Sequence, residues 1–184
     1  MSARSFGRSG FRMAGGGRGH GQGPFWGDLV GPNPTDRAKV GVKGSILVEA
    51  DGGPLSAVIA GANVPDFKLL EATLDAIVIE RAEPTDQAPQ HLCLDKGYDK
   101  EPAREVLERH RYTPHIRKIG EEKKDSEAEK RYPARRWVVE RTLGRLSKCR
   151  AILVRYDKKA ANYLGLIKVA VSCCGIGVGI VYPF

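Results

Sequence analysis

The chain has 184 residues, 41% of them hydrophobic, with 30 Lys/Arg against 22 Asp/Glu and a formal net charge of +8. That length suffices for one globular domain with a sizeable core, and the charge favours a polyanionic partner without specifying one. The four cysteines, Cys93, Cys149, Cys173 and Cys174, are not spaced as zinc-binding pairs, and no apolar secretory segment follows the N-terminus, so the chain reads as a cytoplasmic protein with reduced thiols.

Residues 1–23 contain eight glycines and four arginines with almost no large apolar side chain. Residues 1–30 are therefore expected to form a disordered Gly/Arg-rich arm. Two prolines in Gly31-Pro32-Asn33-Pro34 oppose regular structure. Ser45–Glu49 and Leu55–Ala60 read as a hairpin around the turn chemistry of Asp51-Gly52-Gly53-Pro54. After Asp66, the apolar residues Phe67, Leu70, Leu74 and Ile77 recur on one helical stripe. A loop covers 81–90, and His91–Asp95 is a short apolar strand ending in an acid. Asp99 can cap a helix that starts near Lys100 and buries Val106 and Leu107. Thr113–Ile119 fits another strand, and residues 121–131 are a charge run.

Pro133 can open a helix in which Val139, Leu143, Leu146 and Leu153 recur to about residue 153. A last helix is predicted from Ala160 to about Val171. The order strand–strand–helix–strand–helix–strand–helix–helix is an α/β pattern. The final run, 169–184, is an apolar, divergent tail of sixteen residues with three glycines. It falls short of the ~20 apolar residues of a membrane helix.

Two carboxylates stand out. Asp95 ends a predicted buried strand, and strand ends are where functional side chains leave the core of an α/β sheet. A strand-end Asp can equally serve to accept nearby backbone amides. Glu140 shares a helical face with Arg136, four residues earlier, and with the small residues Gly144 and Ser147. Space beside a carboxylate suits a metal and a bulky substrate. The alternative is a surface Arg–Glu pair contributing only about 0.2–0.5 kcal/mol. The surrounding charge favours a functional role. Residues 131–168 carry eleven Lys/Arg against two Asp/Glu, whereas 44–130 carry twelve against eighteen. A phosphate-facing surface around Glu140 accounts for that asymmetry better than a solvated face does.

The segments Gly31-Pro32-Asn33-Pro34-Thr35-Asp36-Arg37, Ala60-Gly61-Ala62-Asn63 with Asp66, Leu69 and Leu70, Leu94-Asp95-Lys96-Gly97-Tyr98-Asp99, Tyr132-Pro133-Ala134-Arg135-Arg136-Trp137-Val138-Val139-Glu140-Arg141-Thr142 and Lys158-Lys159-Ala160-Ala161-Asn162-Tyr163-Leu164 form a collinear series. Together they resemble the bacterial insertion-sequence transposases of the four and five groups, over residues 31–168. The resemblance implies a catalytic domain built on a ribonuclease-H-like mixed sheet flanked by helices. It also implies an Asp-Asp-Glu metal triad, in which Asp95 matches the second aspartate and Glu140 the glutamate.

The implied activity is metal-dependent phosphodiester cleavage and strand transfer in DNA transposition. Such in-line displacements suit a two-metal site of Mg²⁺ or Mn²⁺ held by carboxylates. Tyr132, Arg136, Glu140 and Lys148 resemble the family's tyrosine–arginine–glutamate–lysine signature, with spacing one residue off at each end. Arg135, Arg136, Arg141, Arg145 and Lys148 would then neutralise phosphates of the DNA partner. A homo-oligomer is a further implication, and no membrane association is expected.

The sequence also departs from the family. The first aspartate belongs on an opening strand before Gly31, a region occupied here by the Gly/Arg-rich arm. Asp28 is the only acid before Asp36, and glycine and proline surround it. The opening strand is therefore expected to be missing or degraded, the chain to be truncated at its N-terminus, and the domain to be inactive alone. The competing reading is a non-catalytic nucleic-acid-binding remnant that uses the basic 131–168 segment.

Overall fold

The structure is a computed structural model and describes residues 10–14, 21–22, 27–34, 39–50, 52–80, 82–85, 87–116 and 136–176. The hairpin anticipated from the Asp51–Pro54 turn is present and longer than its apolar core suggests. Its strands are β4 (Val40–Glu49) and β5 (Pro54–Gly61), with β1 (Gly10–Ala14), β2 (Gly21–Gln22) and β3 (Gly31–Pro32) before them. There follow α1 (Leu70–Asp75), β6 (Gln90–Leu94), α2 (Glu101–Arg109), β7 (Tyr112–Ile116), α3 (Arg136–Ser147), α4 (Arg150–Leu153) and α5 (Ala160–Ile176). The mixed α/β class expected from the element order is what the structure has.

β4 organises the sheet. Along one edge it pairs antiparallel with β5, from Val42↔Gly61 to Val48↔Pro54. Along the other it pairs antiparallel with β1, from Phe11↔Glu49 to Ala14↔Ile46. β1 then runs parallel to β6, with Gly10 opposite His91 and Arg12 opposite Cys93, and β6 runs parallel to β7. The order across the sheet is therefore β5–β4–β1–β6–β7, with β2 and β3 extending the pairing near the start of β4.

The stretch expected to be a disordered arm departs from that expectation in its described part, where the opening strand had been expected to be missing or degraded. Gly10–Ala14 is a strand, and it occupies the middle of the sheet. Averaging composition over 23 residues hides the run Phe11-Arg12-Met13-Ala14, which contains no glycine. Backbone hydrogen bonding to a neighbour on each side holds such a strand with little demand on side-chain identity.

Alternation along the strands sends side chains to two cores. Leu47, Leu92 and Leu94 join Leu70, Leu74, Ala103 and Leu107 beneath α1 and α2. Val42, Ile46, Val48 and Ile59 pack on the opposite face with Val138, Val139 and Leu146 of α3 and Tyr163, Ile167 and Val171 of α5. Each fully buried Leu or Val contributes on the order of 1.5–3 kcal/mol of hydrophobic stabilisation.

The helix read through to residue 153 breaks after Ser147. The Ser147 hydroxyl donates to the Gly144 carbonyl at 2.8 Å. The Lys148 and Cys149 amides bond back only three residues, to Arg145 and Leu146. This tightened turn ends α3, and α4 restarts after Cys149. The last helix runs past its expected end, to Ile176. Residues 117–135, with the charge run and Pro133, and the tail beyond Ile176 lie outside the described residues.

Arg155 belongs by sequence to the basic segment, yet it is 1% exposed. Its Nε donates to the Asp157 carbonyl at 2.7 Å, one terminal nitrogen to Asp28 at 2.8 Å and the other to Lys158 at 2.9 Å. Its guanidinium also lies 5.3 Å from the centre of the Tyr163 ring. The Asp28 amide returns a bond to the Lys158 carbonyl at 3.0 Å. Arg155 thus joins the 27–30 turn to the start of α5. Replacing it with Met should destabilise the fold by about 3 kcal/mol, because three part-buried carbonyls lose charged donors. Urea unfolding measures this, and a change below about 1 kcal/mol would contradict the role.

Candidate active site

Asp95 is the first residue after β6, whose Leu92 and Leu94 are buried. The chain turns there into a 3₁₀ segment, Lys96–Tyr98. The Lys96 amide donates to Asp95 Oδ1 at 2.8 Å, and the Tyr98 amide donates to the Asp95 carbonyl at 2.9 Å. Tyr98 then sinks into the core beneath α1 and α2. An exposed carboxylate is thereby suspended between a buried strand and a buried aromatic ring. Asp95 thus accepts a backbone amide and stands at the rim.

Glu140 is exposed on α3, between Val138 and Val139 on one side and Thr142 on the other, all buried. α3 lies over β1, the strand next to β6. The Thr142 hydroxyl is within 3.4 Å of the Gly52 carbonyl in the β4–β5 turn. Gly52 has φ +93°, and a Cβ there would come within 2.6 Å of the Arg141 guanidinium, so the turn fits closely under Arg141 only as glycine. A Cβ at Gly97, beside Asp95, or at Gly144, one helical turn beyond Glu140, would meet nothing within 4 Å. The space at these two glycines is therefore open.

The predicted basic contacts divide. Arg145 and Lys148 are exposed on α3 and just beyond it, while Arg141 is half-buried. Arg150, Lys158, Lys159 and Lys168 add exposed cations on α4, α5 and the loop between them. Arg136 opens α3, but its side chain lies outside the described residues, as do Arg135 and Tyr132.

Among the described residues, no group of three His, Cys, Asp or Glu side chains is placed to hold a metal ion. Carboxylate oxygens are the right donors for a hard divalent ion. Among the described residues Asp95 and Glu140 are not joined by a third acid, so these residues do not make up a complete two-metal centre. Asp28 serves the fold instead. Its Oδ2 accepts from the Ala160 amide at 3.4 Å at the start of α5, and its carbonyl is held by Arg155. Asp36 lies outside the described residues.

Residues 11–174 match the family described as the transposase DDE domain. The chain is also 37% identical, over 153 residues, to a protein of Burkholderia cepacia named as the transposase for insertion sequence element IS402. That alignment covers 81% of this chain and 69% of the relative. The chain belongs to the DDE-domain transposases of insertion sequences. The family match starts inside β1 and ends within α5, so it takes in more than the 31–168 span carried by the motifs. Among the described residues no helix is long and apolar enough to cross a membrane.

Two histidines meet beside the strand that leads to Asp95. His91 Nδ1 lies 2.8 Å from His115 Nε2 across β6 and β7, with ring centres 5.0 Å apart. The signal available was register, since each histidine occupies the partly buried side of its strand. Burial lowers both imidazole pKa values from 6.5, and the His91 charge lowers that of His115 further. The folded state thus binds these protons less readily than the unfolded state. Their contribution to stability is fully present above pH 6.5 and is lost as pH falls below 6.5 through the folded values. Urea midpoints should therefore drop between about pH 7.5 and about pH 5.5, and drop less in the His91→Gln/His115→Gln double variant. Parallel slopes for the two proteins would refute this account.

Proposed function

We propose that this transposase-family chain is a DNA-transposition domain with a ribonuclease-H-like sheet, in which Asp95 and Glu140 are two members of an Asp-Asp-Glu set. The observation that carries the proposal is the place of Asp95. It leaves the end of a central parallel strand at the rim, next to β1, the strand against which α3 packs. The strand order β5–β4–β1–β6–β7, antiparallel on the hairpin side and parallel on the other, supports the ribonuclease-H-like assignment. DNA is the partner, and the exposed cations Arg145, Lys148, Arg150, Lys158 and Lys159 are the phosphate contacts. Mg²⁺ or Mn²⁺ is the ion such a carboxylate set would take, and assembly of two copies on paired DNA ends is part of the same reading.

One observation favours the second reading, a DNA-binding member that does not cut. Carried two residues on, the β1–β6 register sets Ala14 level with Asp95, and Gly10–Ala14 contains no acid. The third carboxylate is therefore absent from the strand best placed to supply it.

Both readings predict salt-sensitive DNA binding. Neutralising Arg145 or Lys148 should weaken binding to all sequences alike and reduce the salt slope by about 1 for each phosphate deprived of its cation. Salt-independent binding would sink both readings. Nicking of supercoiled DNA with Mn²⁺ then separates them. The parent chain should nick weakly or not at all, Ala14→Asp should raise nicking, and Glu140→Gln or Asp95→Asn in that background should abolish the gain. Nicking that survives Glu140→Gln would overturn the assignment of Glu140.

A further inference from the structure

A second group of polar side chains lies at the same end of the sheet as Asp95, on the face covered by α1 and α2. Lys43 of β4 pairs in register with Ala60 near the end of β5. Its ammonium meets Asp66 Oδ1 at 3.0 Å and donates to the Val64 carbonyl at 3.0 Å, with only 11% of the lysine side chain exposed. Asp66 opens the 3₁₀ turn Asp66–Leu69, which packs against the turn Lys96–Tyr98 that follows Asp95.

Tyr98 stands where these turns meet. It is 1% exposed, so its hydroxyl cannot turn to bulk water. Among the described residues that hydroxyl makes no well-formed hydrogen bond. Burial raises the phenol pKa strongly, the Asp66 charge adds to this, a Ser45 hydroxyl opposes it, and the Asp95 charge raises it again. The phenol therefore remains protonated and acts as a donor.

Its acceptors follow from proton counting. Thr73 Oγ1 lies 2.6 Å from the Leu69 carbonyl and 2.9 Å from Ser45 Oγ. A carbonyl can only accept, so the single Thr73 proton goes to Leu69, and the proton on the Ser45–Thr73 contact comes from Ser45. Ser45 Oγ then has lone pairs left for the phenol, as does the carboxylate of Asp66. Either oxygen would satisfy a donor whose isolation is otherwise costly.

We propose that Lys43, Asp66 and Tyr98 are positioning residues for Asp95. The ion pair fixes the Asp66 turn on β4. That turn and Ser45 hold the Tyr98 hydroxyl. Tyr98, three residues beyond Asp95, fixes the turn from which the carboxylate is presented. Reactive carboxylates must be held within about 0.5 Å of their working geometry, and a strand end alone does not achieve that. The inference rests on the role proposed for Asp95 above.

The Lys96 amide reports the effect directly, because it donates to Asp95 Oδ1. Hydrogen exchange is followed by NMR on the full chain, without metal or DNA. In Tyr98→Phe and Asp66→Asn, the amides of Lys96, Tyr98 and Asp99 should exchange about ten-fold faster, while core amides of β4 and α2 keep their rates. Lys43→Met should behave like Asp66→Asn, and Lys43→Arg should restore slow exchange. Unchanged exchange at Lys96, or a uniform acceleration across the domain, overturns the proposal. The Asp95 assignment fails separately: nicking by Ala14→Asp that is indifferent to Asp95→Asn would remove the catalytic role and leave the positioning unit intact.

Discussion

Five residues of backbone, Gly10–Ala14, join the two halves of this sheet. On one side they pair antiparallel with β4 and so with the whole β4–β5 hairpin, and on the other they pair parallel with β6 and through it with β7. Without them β4 and β6 would each present an unpaired edge to solvent. The helices depend on the same strand. α3 lies across it, and the two cores sit on opposite faces of the surface it completes. Main-chain hydrogen bonds supply this continuity and place few demands on the side chains.

Arg155 performs a comparable task at the other end of the chain. A guanidinium has five N–H donors in a fixed fork, and three carbonyls here accept from it. A lysine ammonium could not reach the same three oxygens in that geometry. The 27–30 turn is thus held against the entry to α5. Leu29 there adopts φ 56°, which costs a non-glycine residue on the order of 1 kcal/mol and persists only where surrounding bonds fix the chain. Asp28, the one acid before the Pro-rich loop, is part of this joint.

Local features were legible in the sequence, and features set by distant partners were not. The apolar His91–Leu94 run followed by Asp95-Lys96-Gly97 announces a buried strand and a sharp exit, and the structure has both. The stripe of Val139, Leu143 and Leu146 likewise announces a helix that leaves Glu140 outside. β1 was illegible because its glycine-rich surroundings dominate any compositional window, and its partners lie some 35 and 80 residues away. Arg155 was illegible because a basic run gives no sign of which cation turns inward. The Lys43–Asp66 pair spans 23 positions, and nothing local to either residue distinguishes a paired charge from a solvated one.

The separation of architecture from chemistry has an energetic side. A third carboxylate on β1 beside Asp95 would bring another negative charge to one end of the sheet. Like charges at such distances disfavour the folded state until a cation arrives to offset them. With Gly-Phe-Arg-Met-Ala in β1 that repulsion is absent, in exchange for one carboxylate fewer at that end of the sheet. The exposed cations of α3, α4 and α5 are untouched by that exchange, because none of them depends on a carboxylate in β1. On the proposed reading, the phosphate contacts and the β1 position of the acid set therefore sit on separate elements, and a substitution in one leaves the other in place.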